Sequence, residues 1–164
     1  MTTKTLNKII FVCLGNICRS PTGEAVLKKL VLDQGLSHHF HIESAGTAGY
    51  HIGERPDPRT RRHGERRGLK FESLAQQFSP SIHFTQFDYV ICMDEQNLHN
   101  ILRLEGSEQN RHKVFSMMSF VPNSKYKFVP DPYSGGPNDF ELVLDLVEEA
   151  CVGLLNHILK SQKT

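Results

Sequence analysis

An apolar run that passes directly into a short polar loop and a helix start is the feature that most constrains the fold of this chain. Residues Ile9–Leu14 have the length of a buried strand, and Ser20-Pro21 has the residue types preferred at the N-cap and first position of a helix. Such strand–loop–helix units bind anions in α/β proteins, because loop N–H groups and the helix N-terminus converge. The pattern predicts an α/β fold with an anion-binding loop, Ser20 as N-cap and Pro21 as the first helical residue.

Two reactive side chains lie in this loop, a thiol at Cys13 and a guanidinium at Arg19. A helix N-terminus and a neighbouring cation both favour the thiolate form of a cysteine. Arginine offers a planar fork that binds two phosphate oxygens at once. A thiolate beneath a bound phosphate predicts phosphoryl transfer to sulfur, with Cys13 as the nucleophile.

The remaining loop residues supply hydrogen bonds. We expect the backbone N–H groups of residues 14–19 to surround the phosphate, and Asn16 to adopt a left-handed conformation and bond across the loop. The hydroxyl of Ser20 is placed to donate to the thiolate. The predicted phosphate-binding loop comprises Leu14, Gly15, Asn16, Ile17, Cys18, Arg19 and Ser20.

Strand and helix patterns alternate along the rest of the chain. Further strands are predicted at residues 40–45, 87–93 and 113–115. The first helix is predicted to end near Asp33 and to be closed by Gly35, and later helices to begin near Pro58, after the cap Asp94, and at Asn138 with Glu141 as its capping-box partner. This order predicts a single doubly wound α/β domain over residues 1–164, with a four-stranded parallel sheet and helices on both faces.

Overall charge and cysteine content exclude several classes of protein. The 164 residues have a formal net charge of +1, which gives no field that favours nucleic acid or a membrane surface. No apolar run reaches the length of a membrane span. Four cysteines at irregular spacing, Cys13, Cys18, Cys92 and Cys151, do not form the framework of a secreted disulfide protein, so we expect a cytoplasmic protein.

One segment departs from this charge balance. Residues 54–70 contain six arginines and one lysine against three acidic residues. The simplest interpretation is an exposed amphipathic helix that begins near Pro58. A basic rim that attracts phosphorylated partners is a second interpretation, and it is compatible with that helix. No aromatic residues alternate with these charges, so stacking on nucleic acid is not predicted.

A general acid for the leaving group is predicted in the long segment 121–137. Asp131 lies there between Pro130 and Pro132, which restrict the backbone and hold the carboxyl in a fixed direction. Loops at the carboxyl ends of parallel strands converge on one crevice, so this carboxyl is within reach of the cysteine. An ordinary turn aspartate is the alternative interpretation.

Several motifs together identify a family resemblance. The stretch Val12–Pro21 (VCLGNICRSP) and the late Asp131-Pro132-Tyr133 resemble the low-molecular-weight protein tyrosine phosphatases. Matches at residues 43–47, 51–57 and 87–98 extend the likeness over nearly the whole chain, from about Lys8 to the final helix. The CX5R pattern alone is weak evidence, but its combination with the Asp-Pro-Tyr segment is strong.

The resemblance implies a phosphotyrosine phosphatase I-like fold and a two-step reaction. Cys13 would attack phosphorus to form a phosphocysteine while Arg19 and the loop amides bind the phosphate. Asp131 would protonate the leaving phenol and then activate the water that hydrolyses the intermediate. It also implies no metal and no cofactor, phosphotyrosine-containing proteins as substrates, and a monomer or weak dimer.

Three further side chains acquire roles through the resemblance. Cys18 would form a reversible disulfide with oxidised Cys13, with a simple packing role as the alternative. Tyr50 and Tyr133 would line the substrate cleft, although tyrosines beside turns are common in any protein.

Two positions depart from the family pattern. Ser134 follows Tyr133 where many members have a second aromatic residue, which implies a thinner cleft wall. Ser73 stands where eukaryotic members have a histidine that supports the loop, so another group must supply that support.

Other functions of the same fold have different signatures. Arsenate reduction needs a second shuttle cysteine seven residues after Cys92, where this chain has His99. Protein-arginine phosphatases tend to have threonine at the position of Ile17, whose apolar side chain suits a phenyl ring. A non-catalytic phosphate-binding module would have lost part of the catalytic set. Zinc binding is disfavoured, because the loop cysteines have no partner pair at ligand spacing.

Overall fold

Four parallel strands form the centre of the computed structural model, which describes residues 6–162. They are Asn7–Cys13 (β1), Phe40–Gly46 (β2), Tyr89–Cys92 (β3) and Val114–Ser116 (β4), in the order β2-β1-β3-β4. The predicted four-stranded parallel sheet is therefore confirmed. Residues 1–5 and 163–164, the ends of the predicted 1–164 domain, lie outside the described residues.

Helices cover both faces of the sheet, as the doubly wound pattern predicts. They are Arg19–Asp33 (α1), Pro58–Glu65 (α2), Pro80–Gln86 (α3), Glu95–Leu102 (α4), Ser107–Asn110 (α5) and Pro137–Ser161 (α6). Helices α1 and α6 pack together on one face, and α3 and α4 contribute to the core on the other. Within residues 6–162, no helix is both long and apolar enough to cross a membrane.

The central strand β1 is buried on both sides. Ile9 and Phe11 belong to the core beneath α1 and α6, whereas Ile10 and Val12 belong to the core on the opposite face. All four side chains are fully buried, and each contributes about 1.5–3 kcal/mol through removal of its apolar surface from water. This two-sided burial explains why the strand is a continuous apolar run instead of an alternating one.

The start of α1 differs from the prediction, because the helix begins at Arg19 with Cys18 at its N-cap. The carbonyl of Cys18 accepts hydrogen bonds from the backbone N–H and the hydroxyl of Thr22, at 3.3 and 2.8 Å. Ser20 is therefore the second residue of the helix and not its N-cap, and its hydroxyl is bonded to the loop. The predicted end is correct, with Gly35 in a left-handed conformation (φ 70°) just beyond Asp33.

The last helix also begins earlier than predicted, at Pro137 with Gly136 as N-cap. The carboxylate of Asp139 accepts a bond from the backbone N–H of Gly136 at 2.8 Å, which is the capping interaction assigned to Glu141 from the sequence. Glu141 instead accepts from the guanidinium of Arg67 at 2.7 Å, which ties α6 to the end of α2.

Other helix boundaries agree with the sequence patterns. Helix α2 begins at Pro58 after an Asp57 cap, and α4 begins after Asp94, whose carboxylate and the side chain of Asn97 form a capping box. Helices α3 and α5 were not predicted, because each has at most two buried residues and shows no helical periodicity.

The loop after β1 lies where neighbouring connections diverge to β2 and β3, which is where open α/β sheets bind ligands.

Candidate active site

The loop between β1 and α1 is held by the side chain of Asn16, which has the predicted left-handed backbone (φ 59°). Its Nδ2 donates to the Ser20 hydroxyl at 2.8 Å, and its Oδ1 accepts from the backbone N–H of Gln76 at 3.0 Å. Asn16 thus joins Ser20, at the end of the loop, to the segment beside β2. Since Asn16 and Ser20 are buried behind the loop, their side chains support it and do not line the cleft.

Cys13 ends β1 and lies at the floor of the cleft. Its Sγ is 2.9 Å from the hydroxyl oxygen of Ser20. The same oxygen accepts from Asn16 Nδ2, and the hydroxyl also lies 3.4 Å from the carbonyl oxygen of Ala45. The sulfur and the Ser20 hydroxyl are thus within hydrogen-bond distance of each other near the N-terminal turn of α1, and a thiolate at Cys13 would accept the bond.

Arg19 is the first residue of α1, and its guanidinium is buried. Nη1 pairs with the Asp94 carboxylate and also donates to the carbonyl of Val129 at 3.1 Å, while Nη2 lies 3.6 Å from Asp131 Oδ2. Burial alone would lower the pKa of Arg19, but the negative charges at Cys13, Asp94 and Asp131 raise it. The guanidinium is thus charged and oriented before any ligand binds.

Asp94 has two functions, only one of which was predicted. One carboxylate oxygen caps α4 by accepting from the backbone N–H of Asn97 at 2.8 Å. The other oxygen pairs with Arg19. The sequence indicated only the cap, because nothing in the local pattern relates Asp94 to a residue 75 positions earlier.

Asp131 lies at the rim of the cleft, and 47% of its side chain is exposed. Its Oδ1 accepts from the backbone N–H of Tyr133 at 3.1 Å, which leaves Oδ2 directed towards Arg19. The segment is anchored next to β3, because the backbone N–H of Val129 donates to the carbonyl of Met93 at 2.9 Å. The long proline-rich segment thereby returns to the edge of the sheet that carries Cys13.

The cleft above these residues has a volume of about 200 Å³. Tyr50 and Tyr133, both predicted as walls, line it and are 73% and 50% exposed. His51 lines it as well, with its Nδ1 3.2 Å from Glu54, and was not predicted beyond its place in a motif. The full lining is Cys13, Leu14, Gly15, Ile17, Cys18, Arg19, Tyr50, His51, Asp131 and Tyr133.

Comparison with known proteins assigns the chain to a family. Residues 8–164 match the model of the low molecular weight phosphotyrosine protein phosphatases. The chain belongs to this family. A low molecular weight protein-tyrosine-phosphatase from Streptomyces coelicolor is 42% identical over 150 residues, which cover 90% of this chain and 91% of the relative. The family assignment predicted from the motifs is confirmed, and the chain is an enzyme of the protein-tyrosine-phosphatase class.

Solved structures of this phosphatase family share the fold. The crystal structure of a protein tyrosine phosphatase from Entamoeba histolytica, with Hepes in its active site, has a TM-score of 0.88 and 39% identity, and covers 94% of this chain and 98% of that one. The crystal structure of a Drosophila arginine phosphatase has a TM-score of 0.82 and 32% identity, with 92% and 96% covered. Fold similarity alone therefore does not distinguish the two activities.

In this family member, Ser73 does not contact the loop directly. Its hydroxyl donates to the buried carboxylate of Glu24 in α1, which also accepts from Ser44 and from Lys28, each at 2.6 Å. The direct hydrogen bond from this segment to the loop comes from the backbone N–H of Gln76. Backbone therefore supplies the loop support that the sequence left unassigned.

All four cysteines of this phosphatase are free and buried. Cys18 lines the cleft, and burial raises its pKa to about 12, with a smaller opposing effect from a hydrogen bond to Thr60. Cys92 and Cys151 lie in the two cores beside the sheet, where burial also raises their pKa values. Among residues 6–162, no group of three His, Cys, Asp or Glu side chains could hold a metal ion.

Proposed function

We propose that this phosphatase hydrolyses phosphotyrosine in proteins through a phosphocysteine intermediate on Cys13. The observation that carries the proposal is the placement of Cys13 Sγ at the floor of a cleft beside the buried guanidinium of Arg19, with Asp131 at its rim. Phosphotyrosine combines a dianion that suits the floor with an aromatic ring that suits Tyr50 and Tyr133.

In the first step, the Cys13 thiolate attacks phosphorus and the bond between phosphorus and the tyrosyl oxygen breaks. Arg19 and the loop N–H groups hold the charge on the three remaining oxygens. The carboxyl of Asp131 transfers its proton to the leaving oxygen, so tyrosine departs as a neutral phenol.

In the second step, the Asp131 carboxylate accepts a proton from water while the water oxygen attacks phosphorus. The sulfur–phosphorus bond breaks, inorganic phosphate is released, and Cys13 returns to the thiolate. The hydroxyl of Ser20, 2.9 Å from the sulfur, stabilises that thiolate as the leaving group. No metal or cofactor is required in either step.

A protein-arginine phosphatase is the second candidate, because an arginine phosphatase is among the structural neighbours. Phosphoarginine has a polar guanidinium where phosphotyrosine has a ring. In this cleft the side chain of Ile17 and the two tyrosines present apolar surface, which favours the ring. Arsenate reduction is disfavoured by His99 and by the deep burial of Cys92, and a non-catalytic phosphate-binding module by the presence of Cys13, Arg19 and Asp131.

We further propose a cytoplasmic, monomeric or weakly dimeric enzyme in which Cys18 protects Cys13 from irreversible oxidation. The four unpaired cysteines support a reducing compartment. Both Cys13 and Cys18 line the same cleft, so oxidised Cys13 would have a thiol nearby. Fractionation of the source cells and size-exclusion chromatography would test the location and the oligomeric state.

A panel of peptides with one sequence and phosphotyrosine, phosphoserine or phosphoarginine tests the proposed activity. We expect the highest kcat/KM for phosphotyrosine, and a phosphoryl group on Cys13 in wild-type enzyme quenched with acid during turnover. Cys13→Ser should retain the fold and lose hydrolysis and the trapped intermediate. Preferred turnover of phosphoarginine, or turnover by Cys13→Ser, would overturn the assignment.

A further inference from the structure

The exposed face of α2 carries positive charge from the cleft wall outward. Arg59, Arg62 and the C-cap Arg66 follow one another at spacings of three and four residues, which places them on one side of the helix. The neighbouring side contains buried Thr60, His63 and Gly64 and faces α6. Arg62 and Arg66 remain exposed and form the arginine face of the helix, whereas Arg59 is half-buried beside Phe140 of α6.

Two of the three acidic residues near this face are already paired. Asp57 accepts bonds from Arg59, at 2.9 Å to Nη2, and Glu54 pairs with His51 at 3.2 Å. In contrast, exposed Arg62 and Arg66 have no ion pair or hydrogen bond from their side chains within residues 6–162, and the same is true of exposed Arg55 and Lys70. Only Glu65 contributes an unpaired negative charge to α2 itself.

The arginine face is continuous with the cleft. The guanidinium carbon of Arg59 lies 5.5 Å from the centre of the Tyr133 ring, which forms a wall of the cleft. The N-terminus of α2 is fixed against the loop, because the backbone N–H of Asp57 donates to the carbonyl of Ile17 at 2.8 Å. From Arg59 to Arg66 the helix rises about 10 Å, which an extended peptide spans with about three residues.

We propose that this arginine face, defined by Arg62 and Arg66, binds acidic side chains that flank the phosphotyrosine of a protein substrate. The inference rests on the proposed function, since a phosphotyrosine seated in the cleft brings its neighbouring residues to α2. Carboxylates are the complementary groups, because a guanidinium binds both of their oxygens. The surface therefore selects phosphorylated segments rich in Asp and Glu.

Paired phosphopeptides test this selection. One set has three glutamates on one side of the phosphotyrosine, a second set has them on the other side, and a third has glutamines throughout. We expect kcat/KM for the favoured acidic peptide to exceed that of the neutral peptide about tenfold at low salt. Raising the salt from about 0.1 M to about 1 M shortens the screening length from about 10 to about 3 Å and should remove most of the difference.

The double variant Arg62→Gln/Arg66→Gln should reduce the acidic-to-neutral ratio about three- to tenfold. A matched control, Arg103→Gln/Arg111→Gln, removes the same number of exposed charges elsewhere. Arg103 is the C-cap of α4, and Arg111 lies before the start of β4, whereas Cys13 lies at the other end of the parallel strands. The control should keep the wild-type ratio.

Two different failures are distinguishable. If wild-type enzyme hydrolyses phosphotyrosine peptides but shows the same kcat/KM for acidic and neutral sequences, the arginine face has no role in selection and the proposed function stands. An equal loss of the ratio in both double variants would assign the effect to net charge and would also overturn the inference. If no phosphotyrosine peptide is hydrolysed, the proposed function itself fails.

Discussion

The guanidinium of Arg59 stacks over the ring of Tyr133, with 5.5 Å between the guanidinium carbon and the ring centre. The same group lies 4.8 Å from the ring centre of Phe140 and forms two side-chain hydrogen bonds with Asp57. One arginine thus connects the cleft wall, the start of α2 and the start of α6. It positions Tyr133 without contacting the reacting atoms.

Replacement of Arg59 by Gln should therefore weaken binding of aryl phosphates more than it slows their conversion. An exposed cation–π contact contributes about 0.5–1 kcal/mol, so we expect KM to rise about two- to fivefold while kcat stays within about twofold. Arg59→Lys keeps the charge beside Asp57 without the planar group, and should give an intermediate KM. Steady-state kinetics with p-nitrophenyl phosphate would check this, and a fall in kcat at constant KM would contradict it.

Asp131→Asn should slow formation of the phosphocysteine from phosphotyrosine by about 10²- to 10⁴-fold, because the leaving oxygen then lacks a proton donor. The loss should be smaller with p-nitrophenyl phosphate, whose leaving group is stable as an anion. Single-turnover measurements with the two substrates would separate these effects. Asp33→Asn, which alters an exposed carboxylate at the end of α1, serves as control, and equal losses with both substrates would place the acid elsewhere.

Oxidation of the enzyme by peroxide should give a disulfide between Cys13 and Cys18 at a rate that depends on pH. Burial raises the pKa of Cys18 to about 12, so its thiolate fraction increases about tenfold per pH unit from about pH 6 to about pH 9. The rate of disulfide formation from the sulfenic acid should rise accordingly, as stopped-flow oxidation and mass spectrometry can measure. In Cys18→Ala, oxidation should continue to sulfinic acid. A rate independent of pH would argue against attack by the Cys18 thiolate.

Ser73→Ala should lower the free energy of unfolding by about 1–3 kcal/mol, because the buried carboxylate of Glu24 loses one of its donors. Catalysis should change little, since the bond to the loop comes from the Gln76 backbone. Urea unfolding and kcat/KM would be measured together. Ser119→Ala, which removes an exposed serine hydroxyl bonded to the carbonyl of Ser116, should change stability by less than about 0.5 kcal/mol. Lost activity with unchanged stability would contradict this account.

His83 should make the fold less stable in mild acid. Burial lowers its pKa below 6.5, with Glu43 opposing, and its Nδ1 accepts from the backbone N–H of Ser79 at 2.8 Å. His83 therefore binds a proton at a higher pH in the unfolded chain than in the folded chain. Stability from this group is present above about pH 6.5 and falls with decreasing pH, by at most about 1.4 kcal/mol per pH unit.

His83→Asn retains an acceptor near the position of Nδ1 and removes the titration. Urea unfolding between about pH 8 and about pH 5 should show a shallower decline for this variant than for wild type. His112→Asn replaces an exposed histidine and should keep the wild-type decline. If His83→Asn and wild type lose stability in parallel, another group controls the acid sensitivity.

The sequence predicted those parts of the fold and site that depend on local chemistry. The apolar run of β1, the left-handed Asn16 and the Asp94 cap each follow from a residue type at a particular backbone position. The sulfur–hydroxyl pair of Cys13 and Ser20 was also predictable, because both residues belong to one loop.

Contacts between distant segments could not be predicted in this way. The pair of Arg19 with Asp94, and the donation of Ser73 to Glu24, join residues 75 and 49 positions apart. Such pairings depend on how the elements pack, which a single sequence does not encode in its local patterns.

Helix α6 supplies much of the core beneath one face of β1, including Val147, Cys151 and Leu154, although it is the last helix of the chain. During synthesis on the ribosome, Ile9 and Phe11 therefore emerge long before the residues that cover them. The active-site loop is made early but is attached to a sheet with one incompletely covered face until α6 has been translated. We expect nascent chains that lack α6 to depend on chaperones, and acquisition of the native state to be a late event in biogenesis.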